Sequence, residues 1–247
     1  MNAPTDANAY LSKTDYVESL DGSKRGPIES IHENLVVSRP VTFADCVVWA
    51  RLKFEDLFNH KIRQLLSMFP LDAKTSTGTP FWSGPKRPPT SIEFDQNDPA
   101  HLDFIVSAAN LRAFVYGLKG ERDISYFRPI LANVMVPEFT FNSKLKIQVD
   151  EKEGNKTNDE NMDTSSSSAA DGGDDDDTTC SQLLKDLDKL KPSLSGVRLN
   201  PIEFEKDDDT NFHVDFITAT SNLRARNYQI PEADRHVTKG IAGKIIP

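Results

Sequence analysis

Cysteine is nearly absent from this sequence, and so are long apolar runs and any excess of basic charge. Two cysteines in 247 residues, Cys46 and Cys180, cannot build a disulfide framework. Neither stands in a C-x-x-C or Cys/His spacing suited to zinc. No apolar run approaches the roughly 18 residues a membrane helix needs, and Met1 to Tyr10 lacks the basic-then-apolar order of a secretory signal. The expectation is a soluble intracellular chain in a reducing compartment, cytoplasm or nucleus, with no membrane contact. The triplet Asn155-Lys156-Thr157 has the form of a glycosylation site but carries no weight without a signal peptide.

The missing basic charge is more informative. Lys and Arg number 29 against 38 Asp and Glu, a formal net of −9. The imbalance is local. Residues 150 to 177 hold eleven acids and two lysines, so the remainder carries 27 charges of each sign and is neutral. A neutral body has no electrostatic footprint for nucleic acid or an anionic membrane surface.

From Asp150 to Thr179 the large apolar content is a single Met162, amid four serines, Gly172-Gly173 and Asp174 to Asp177. Such a stretch buries too little to offset its ordering entropy, which predicts a disordered acidic insertion over 150–179. Residues 1–149 and 180–247 then form one domain. Lys144 to Val149 and Val197 to Phe204 alternate apolar and polar residues and are expected to pair as a small antiparallel hairpin, with the insertion as its loop.

Most of the rest has helical spacing. Thr42 is the N-cap of a run from Phe43 to about Phe69, in which Val47, Ala50, Phe54, Phe58, Ile62, Leu65 and Phe69 recur at three- and four-residue steps until Pro70 stops it. Shorter helices are expected at Ala9–Leu20, Pro27–Val37, Asp123–Val134 and Ser181–Leu190. Thr75 to Pro89 is a loop with Phe81 and Trp82 as anchors. The fold class is mainly α with a small antiparallel β component.

The chain also repeats itself. Ile92-Glu93-Phe94-Asp95 precedes His101-Leu102-Asp103-Phe104-Ile105, Asn110-Leu111-Arg112-Ala113 and Tyr116. Ile202-Glu203-Phe204-Glu205 precedes His213-Val214-Asp215-Phe216-Ile217, Asn222-Leu223-Arg224-Ala225 and Tyr228. Each copy reads as a short strand, an acidic turn and a helix, with Asp98-Pro99 or Asp207 to Asp209 at the positive end of the helix dipole. Two readings stand: a duplication that packs two equivalent helices side by side, or a paired site of His, Asp, Asn and Arg.

Other motifs fail on their own chemistry. Asp207 to Asn211 lacks the glycine and the closing glutamate of a calcium loop. Gly240 to Lys244 resembles the tail of a phosphate loop, but Thr238 and Ile245 occupy required positions. Lys86-Arg87 is too short for nucleic acid and reads as a solvated doublet, or a contact for an acidic surface. Cys180 follows four aspartates whose field raises a thiol pKa, and is expected to be exposed and inert. Cys46 lies on an apolar stretch and reads as a buried structural cysteine. No Ser or Cys stands in a Gly-x-Ser-x-Gly turn.

Pro80-Phe81-Trp82-Ser83-Gly84-Pro85-Lys86-Arg87-Pro88, Phe204 to His213, Asn59-His60 to Phe69-Pro70, Val136-Pro137-Glu138-Phe139-Thr140, Lys146 to Val149 and Asp234 to Pro247 together resemble ubiquitin-activating enzymes. The likeness spans nearly the whole chain outside the acidic insertion and points to the second catalytic-cysteine half-domain. The resemblance implies a helical half-domain of an enzyme that adenylates ubiquitin with ATP and magnesium, takes it as a thioester on a cysteine, and passes it to a conjugating enzyme. Implied partners are ubiquitin, the conjugating enzyme and the adenylation domain of the same enzyme. The family nucleophile lies in a Pro-x-Cys-Thr motif upstream, which this chain lacks, so no catalytic residue, cofactor or metal site is assigned. The chain is expected to be inactive alone. Asp150 and Glu151, at the end of the Lys146 to Val149 strand, are candidates for the surroundings of the cysteine in the whole enzyme. Phe141 stands where the family has proline. The ending Ile241 to Pro247 is apolar and is expected to pack on something outside the chain. A non-catalytic binding module for a conjugating enzyme or ubiquitin-like protein is the alternative.

Overall fold

The computed structural model describes residues 3–20, 24–143 and 173–246. The expected long helix forms as one rod. Thr42 and Asp45 close a reciprocal capping box at its start, α3 (Phe43–Phe54) runs into a π-helical turn (Glu55–His60), and α4 (Lys61–Met68) ends at Phe69 and Pro70. A capping box satisfies two orphan N–H groups and contributes about 1 kcal/mol. Before the rod come α1 (Ala3–Ser12) and α2 (Arg25–His32), the latter extended by a π turn to Val37. After it come α5 (Pro99–Val115), α6 (Ile124–Leu131), α7 (Gly173–Leu190), α8 (His213–Asn227) and α9 (Arg235–Ile245).

Three expectations change. The first helix covers 3–12 in place of 9–20, because the chain turns back after Ser12 to set Tyr16 edge-on against Tyr10, both buried, with ring centroids 6.3 Å apart. Helix α7 begins at Gly173, so the last seven residues of the expected disordered stretch are helical. Its apolar positions Cys180, Leu183, Leu184, Leu187 and Leu190 pack against the α1–α2 core and draw the segment into a helix. Residues 197–204 run extended but join no β-ladder among the described residues. Their alternation is satisfied by helices: Leu199 is buried, its N–H and C=O pair with the Asn8 amide at 2.8 and 2.7 Å, and the Asn200 N–H donates to Val115 O at 2.7 Å. The expected partner Lys144–Val149 lies outside the described residues. The antiparallel pairing seen among the described residues is an isolated bridge between Lys74 and Pro80.

Two hydrophobic clusters result. One gathers Phe54 and Phe58 of the rod, Phe104 of α5, Phe127 of α6 and Leu223 of α8. The other joins Ile28, Ile31 and Leu35 to Leu187, Leu194 and Leu199. The C-terminal end of α5 links them. Arg112 donates to Ser38 O and Oγ at 2.6 and 2.7 Å with its guanidinium 4.2 Å from the Trp49 ring centre, and Tyr116 donates to Asn34 O at 2.7 Å.

The repeat is a structural duplication that reaches beyond the residues alike in sequence. In each copy a backbone N–H ahead of the helix, that of Asp95 or Glu205, donates to Nδ1 of the repeat histidine, His101 or His213, at 3.0 Å. The preceding phenylalanine stacks on that imidazole, Phe94 at 5.9 Å and Phe204 at 6.0 Å. Both helices end in a left-handed residue, Gly117 (φ 67°) or Gln229 (φ 55°). The next residue, Leu118 or Ile230, donates back to Ala113 O or Ala225 O at 2.8 and 2.9 Å, the Schellman closure. The repeat asparagines then clamp the following loop: Asn110 exchanges two hydrogen bonds with Glu121, and Asn222 two with Ala233. A Cβ on Gly120 would collide with Asn110 Oδ1.

The copies are joined reciprocally. Thr90 N–H donates to Asn227 O at 2.7 Å, and Asn200 N–H donates to Val115 O at 2.7 Å. Each copy's lead-in therefore starts at the C-terminal end of the other copy's helix. Phe104 and Phe216, repeat equivalents, touch with ring centroids 5.8 Å apart. A residue that meets its own equivalent marks where a local two-fold axis passes. The buried amide of Asn227 ties this arrangement to the rod, donating to Phe58 O in the π turn at 3.0 Å.

Candidate functional site

The crossing of α5 and α8 leaves a cleft of about 650 Å³ beside the Phe104–Phe216 contact. It brings together Asp103 and Asp215, the paired aspartates of the repeat, with Arg122, Asp209, Phe212 and Arg235. The two aspartates have different surroundings. Asp215 accepts from Arg235 Nε at 2.6 Å, and the same guanidinium reaches Asp209 at 2.9 Å. Asp103 has no ion pair among the described residues. Desolvation by the cleft walls, and then the neighbouring charges of Asp215 and Asp98, push its carboxyl above the usual aspartate range although the residue as a whole is exposed. Arg122 is turned elsewhere, donating to Thr210 O with its guanidinium 3.9 Å from the Phe212 ring centre.

No nucleophile is poised here. Ser107 Oγ donates to Asp103 O at 2.6 Å and Thr218 Oγ1 to Val214 O at 2.7 Å, so both hydroxyls serve their own helices. The histidines stand at the helix starts with Nδ1 occupied. His101 is buried, 3.6 Å from Asp98, and desolvation holds its pKa below the ordinary histidine value against the pull of that aspartate. Asp98 is held low by His101, the Ala100 N–H and Arg226, which outweigh its own partial burial. His, Asn and Arg of the repeat thus act as structural fasteners, while Asp103 and Asp215 meet in the cleft. Past the tyrosines the helix starts keep the correspondence: Asp123 caps α6 and Asp234 caps α9. Arg235, which follows its cap and pairs with Asp215, therefore has the apolar Ile124 as its counterpart, and Asp103 is left without a guanidinium.

Both cysteines lie away from the cleft. Cys46 is fully buried in the first cluster, and burial pushes its thiol up to about 11 despite the opposing charge of Arg112. Cys180 is half-buried on the face of α7 toward the second cluster, where the sequence had suggested exposure. Neither is in a disulfide. The acidic turn at 207–209 does not cap α8: Asn211 Oδ1 accepts from the His213 N–H, while Asp207 pairs with Lys206 and Lys239 and Asp209 with Arg235. Gly240 to Lys244 lie inside α9, not in a phosphate-binding loop. Phe81 stacks on Phe69 at 4.4 Å and Trp82 Nε1 donates to Phe69 O at 3.0 Å, so both anchors of the 75–89 loop hold, and Lys86-Arg87 remain exposed at its tip. Asp150 and Glu151 lie outside the described residues. Among the described residues no cluster of metal-ligating side chains occurs, and no helix is long and apolar enough to cross a membrane.

Residues 1–239 match the family described as ubiquitin-activating enzyme, SCCH domain. A ubiquitin-like modifier-activating enzyme 1 of Dictyostelium discoideum is 51% identical over 251 residues, covering 100% of this chain and 24% of the relative. The ubiquitin-activating enzyme E1 1 of Schizosaccharomyces pombe is 47% identical, covering 97% and 23%, and the human ubiquitin-like modifier-activating enzyme 1 is 46% identical, covering 97% and 22%. The chain spans about a quarter of the length of these relatives.

Proposed function

This chain belongs to the ubiquitin-activating enzyme family through its SCCH domain, and from that premise we propose that it forms the helical body of the cysteine half-domain. In the complete enzyme, ubiquitin is adenylated with ATP and magnesium, captured as a thioester and handed to a conjugating enzyme. This chain shapes the surface around the reactive cysteine and helps present ubiquitin to the conjugating enzyme, working beside the adenylation domain in cytoplasm and nucleus. It supplies neither nucleophile nor nucleotide site. In that setting Asp150 and Glu151 are proposed to stand near the cysteine.

The burial of Cys46 carries this reading. A thioester-forming cysteine needs a thiolate in reach of its acyl donor. A thiol at 0% exposure and raised to about 11 offers neither access nor charge. The test is to incubate the chain with ubiquitin, ATP and magnesium and resolve it on a non-reducing gel. No thiol-sensitive adduct is expected. An adduct lost on Cys46→Ser or Cys180→Ser would overturn the proposal.

A further inference from the structure

We propose that the cleft between α5 and α8 is a docking site for an arginine side chain of a bound polypeptide, its guanidinium pairing with Asp103. The inference rests on a broken symmetry and not on the family reading. The two-fold relation places Asp103 and Asp215 equivalently on helices that are equivalent in their starts, ends and clamped loops. Asp215 is completed from within the chain, since Arg235 at the start of α9 lays its guanidinium against the carboxylate at 2.6 Å. The corresponding position at the start of α6 is Ile124. It follows the N-cap Asp123, whose carboxylate accepts from the Ser125 N–H, as Arg235 follows the N-cap Asp234, and Ile124 and Arg235 both line the cleft. The second half of the cleft contains its cation. The first has Arg122 on its wall, turned to Thr210 and Phe212, and no guanidinium on Asp103.

The surroundings define what completes it. The neighbouring charges that push the Asp103 carboxyl up, after desolvation, are two acids, Asp215 and Asp98. Both cations lining the cleft are engaged away from Asp103, Arg235 by two aspartates and Arg122 by the Thr210 carbonyl and the Phe212 ring. An incoming anion would meet Asp103 uncompensated, whereas a cation relieves the repulsion between the two aspartates. The cleft's space of about 650 Å³ exceeds one side chain, and Ala100, Val106 and Ile124 give it apolar walls that suit the stem and flat face of a guanidinium. The ligand chemistry is that of Arg235 itself, delivered from outside.

The experiment is a titration of the ¹⁵N-labelled chain with acetyl-Gly-Arg-Gly-amide, followed by amide shifts. Its controls are the same peptide with citrulline, which keeps shape and hydrogen bonding but loses the charge, and with lysine. Saturable shifts confined to residues 100–107, 122–124 and 215–222 are expected, with a dissociation constant on the order of millimolar for one anchored side chain. The affinity should fall at least about tenfold for citrulline, and by as much for Asp103→Asn in a chain whose other amides are unmoved, a loss of ~1.4 kcal/mol. Lysine should bind more weakly. Equal binding of the citrulline peptide, shifts outside the cleft, undiminished binding by Asp103→Asn, or lysine matching arginine would each overturn the assignment.

Discussion

In the first copy of the repeat, α6 lays Phe127 and Leu131 into the core beside the rod, with Phe127 edge-on to Phe43 at 5.7 Å. In the second, α9 buries only Thr238 and Ala242 and leaves Val237, Ile241 and Ile245 at 45%, 51% and 72% exposure. The copies agree where each closes on itself: the imidazole acceptor, the left-handed helix end, the asparagine clamp. They differ where each meets its surroundings. Exposed Phe114 corresponds to Arg226, which bridges Asp98 at 2.7 Å and Glu232 at 2.6 Å, and Ile124, the first residue of α6, corresponds to Arg235, the first of α9. Local closure constrains backbone hydrogen bonds that must be satisfied in either setting. Outward positions are free to follow whatever each copy packs against.

The largest effect should separate the copies at their contact. Phe104 is 1% exposed and touches Phe54, Phe58 and Phe216, whereas Phe216 is only half-buried. Phe104→Ala should cost about 3–5 kcal/mol, the range for a fully enclosed aromatic. Phe216→Ala should cost roughly half as much, since part of its surface already faces water. Urea unfolding of both variants measures the gap. Equal losses would mean that the two-fold contact is energetically symmetric and that the comparison is wrong.

Much of this was legible in the sequence. Val47, Phe54 and Phe58 announced the buried face of the rod by spacing alone, and Thr42 announced its cap. The repeat was visible because its fasteners are polar residues with one geometry each. The extended run 197–204 was not, because alternation reports burial of one face and says nothing about whether the covering element is a strand or a helix. The cleft was hidden for a different reason. It depends on Arg122, Phe212 and Arg235, which lie outside the matched residues and meet only after the helices cross.

A smaller effect concerns pH. Both repeat histidines accept a backbone N–H at Nδ1, and protonation turns that acceptor into a donor. His101 is buried and its folded pKa lies below the ordinary value. A depressed folded pKa means the unfolded chain takes up the proton more readily. The contribution of His101 is therefore present above the unfolded pKa near 6.5, and is lost as pH falls through that value toward the lower folded one. The loss amounts to about one buried hydrogen bond, on the order of 1 kcal/mol. Thermal unfolding between about pH 7.5 and 5 should have a shallower slope in His101→Gln than in the natural chain. An unchanged slope would show that the first copy's imidazole is not the acid-sensitive fastener.

The smallest effect tests the open side of the second copy. Ile241 and Ile245 lie four residues apart on α9, on an exposed stripe that flanks the buried Thr238–Ala242 stripe. Exposed positions on a helix surface change stability by about 0.5 kcal/mol or less when nothing packs on them. Ile241→Gln should therefore leave urea unfolding of this chain unchanged within that margin, while Leu131→Ala in the first copy, at 7% exposure, costs about 2–5 kcal/mol. The contrast holds only if the α9 stripe is unpartnered in the isolated chain. Should Ile241→Gln destabilise the chain by more than about 1 kcal/mol, or should its cost rise with protein concentration, the stripe is already covered by a second copy and the second half of the repeat is closed by association.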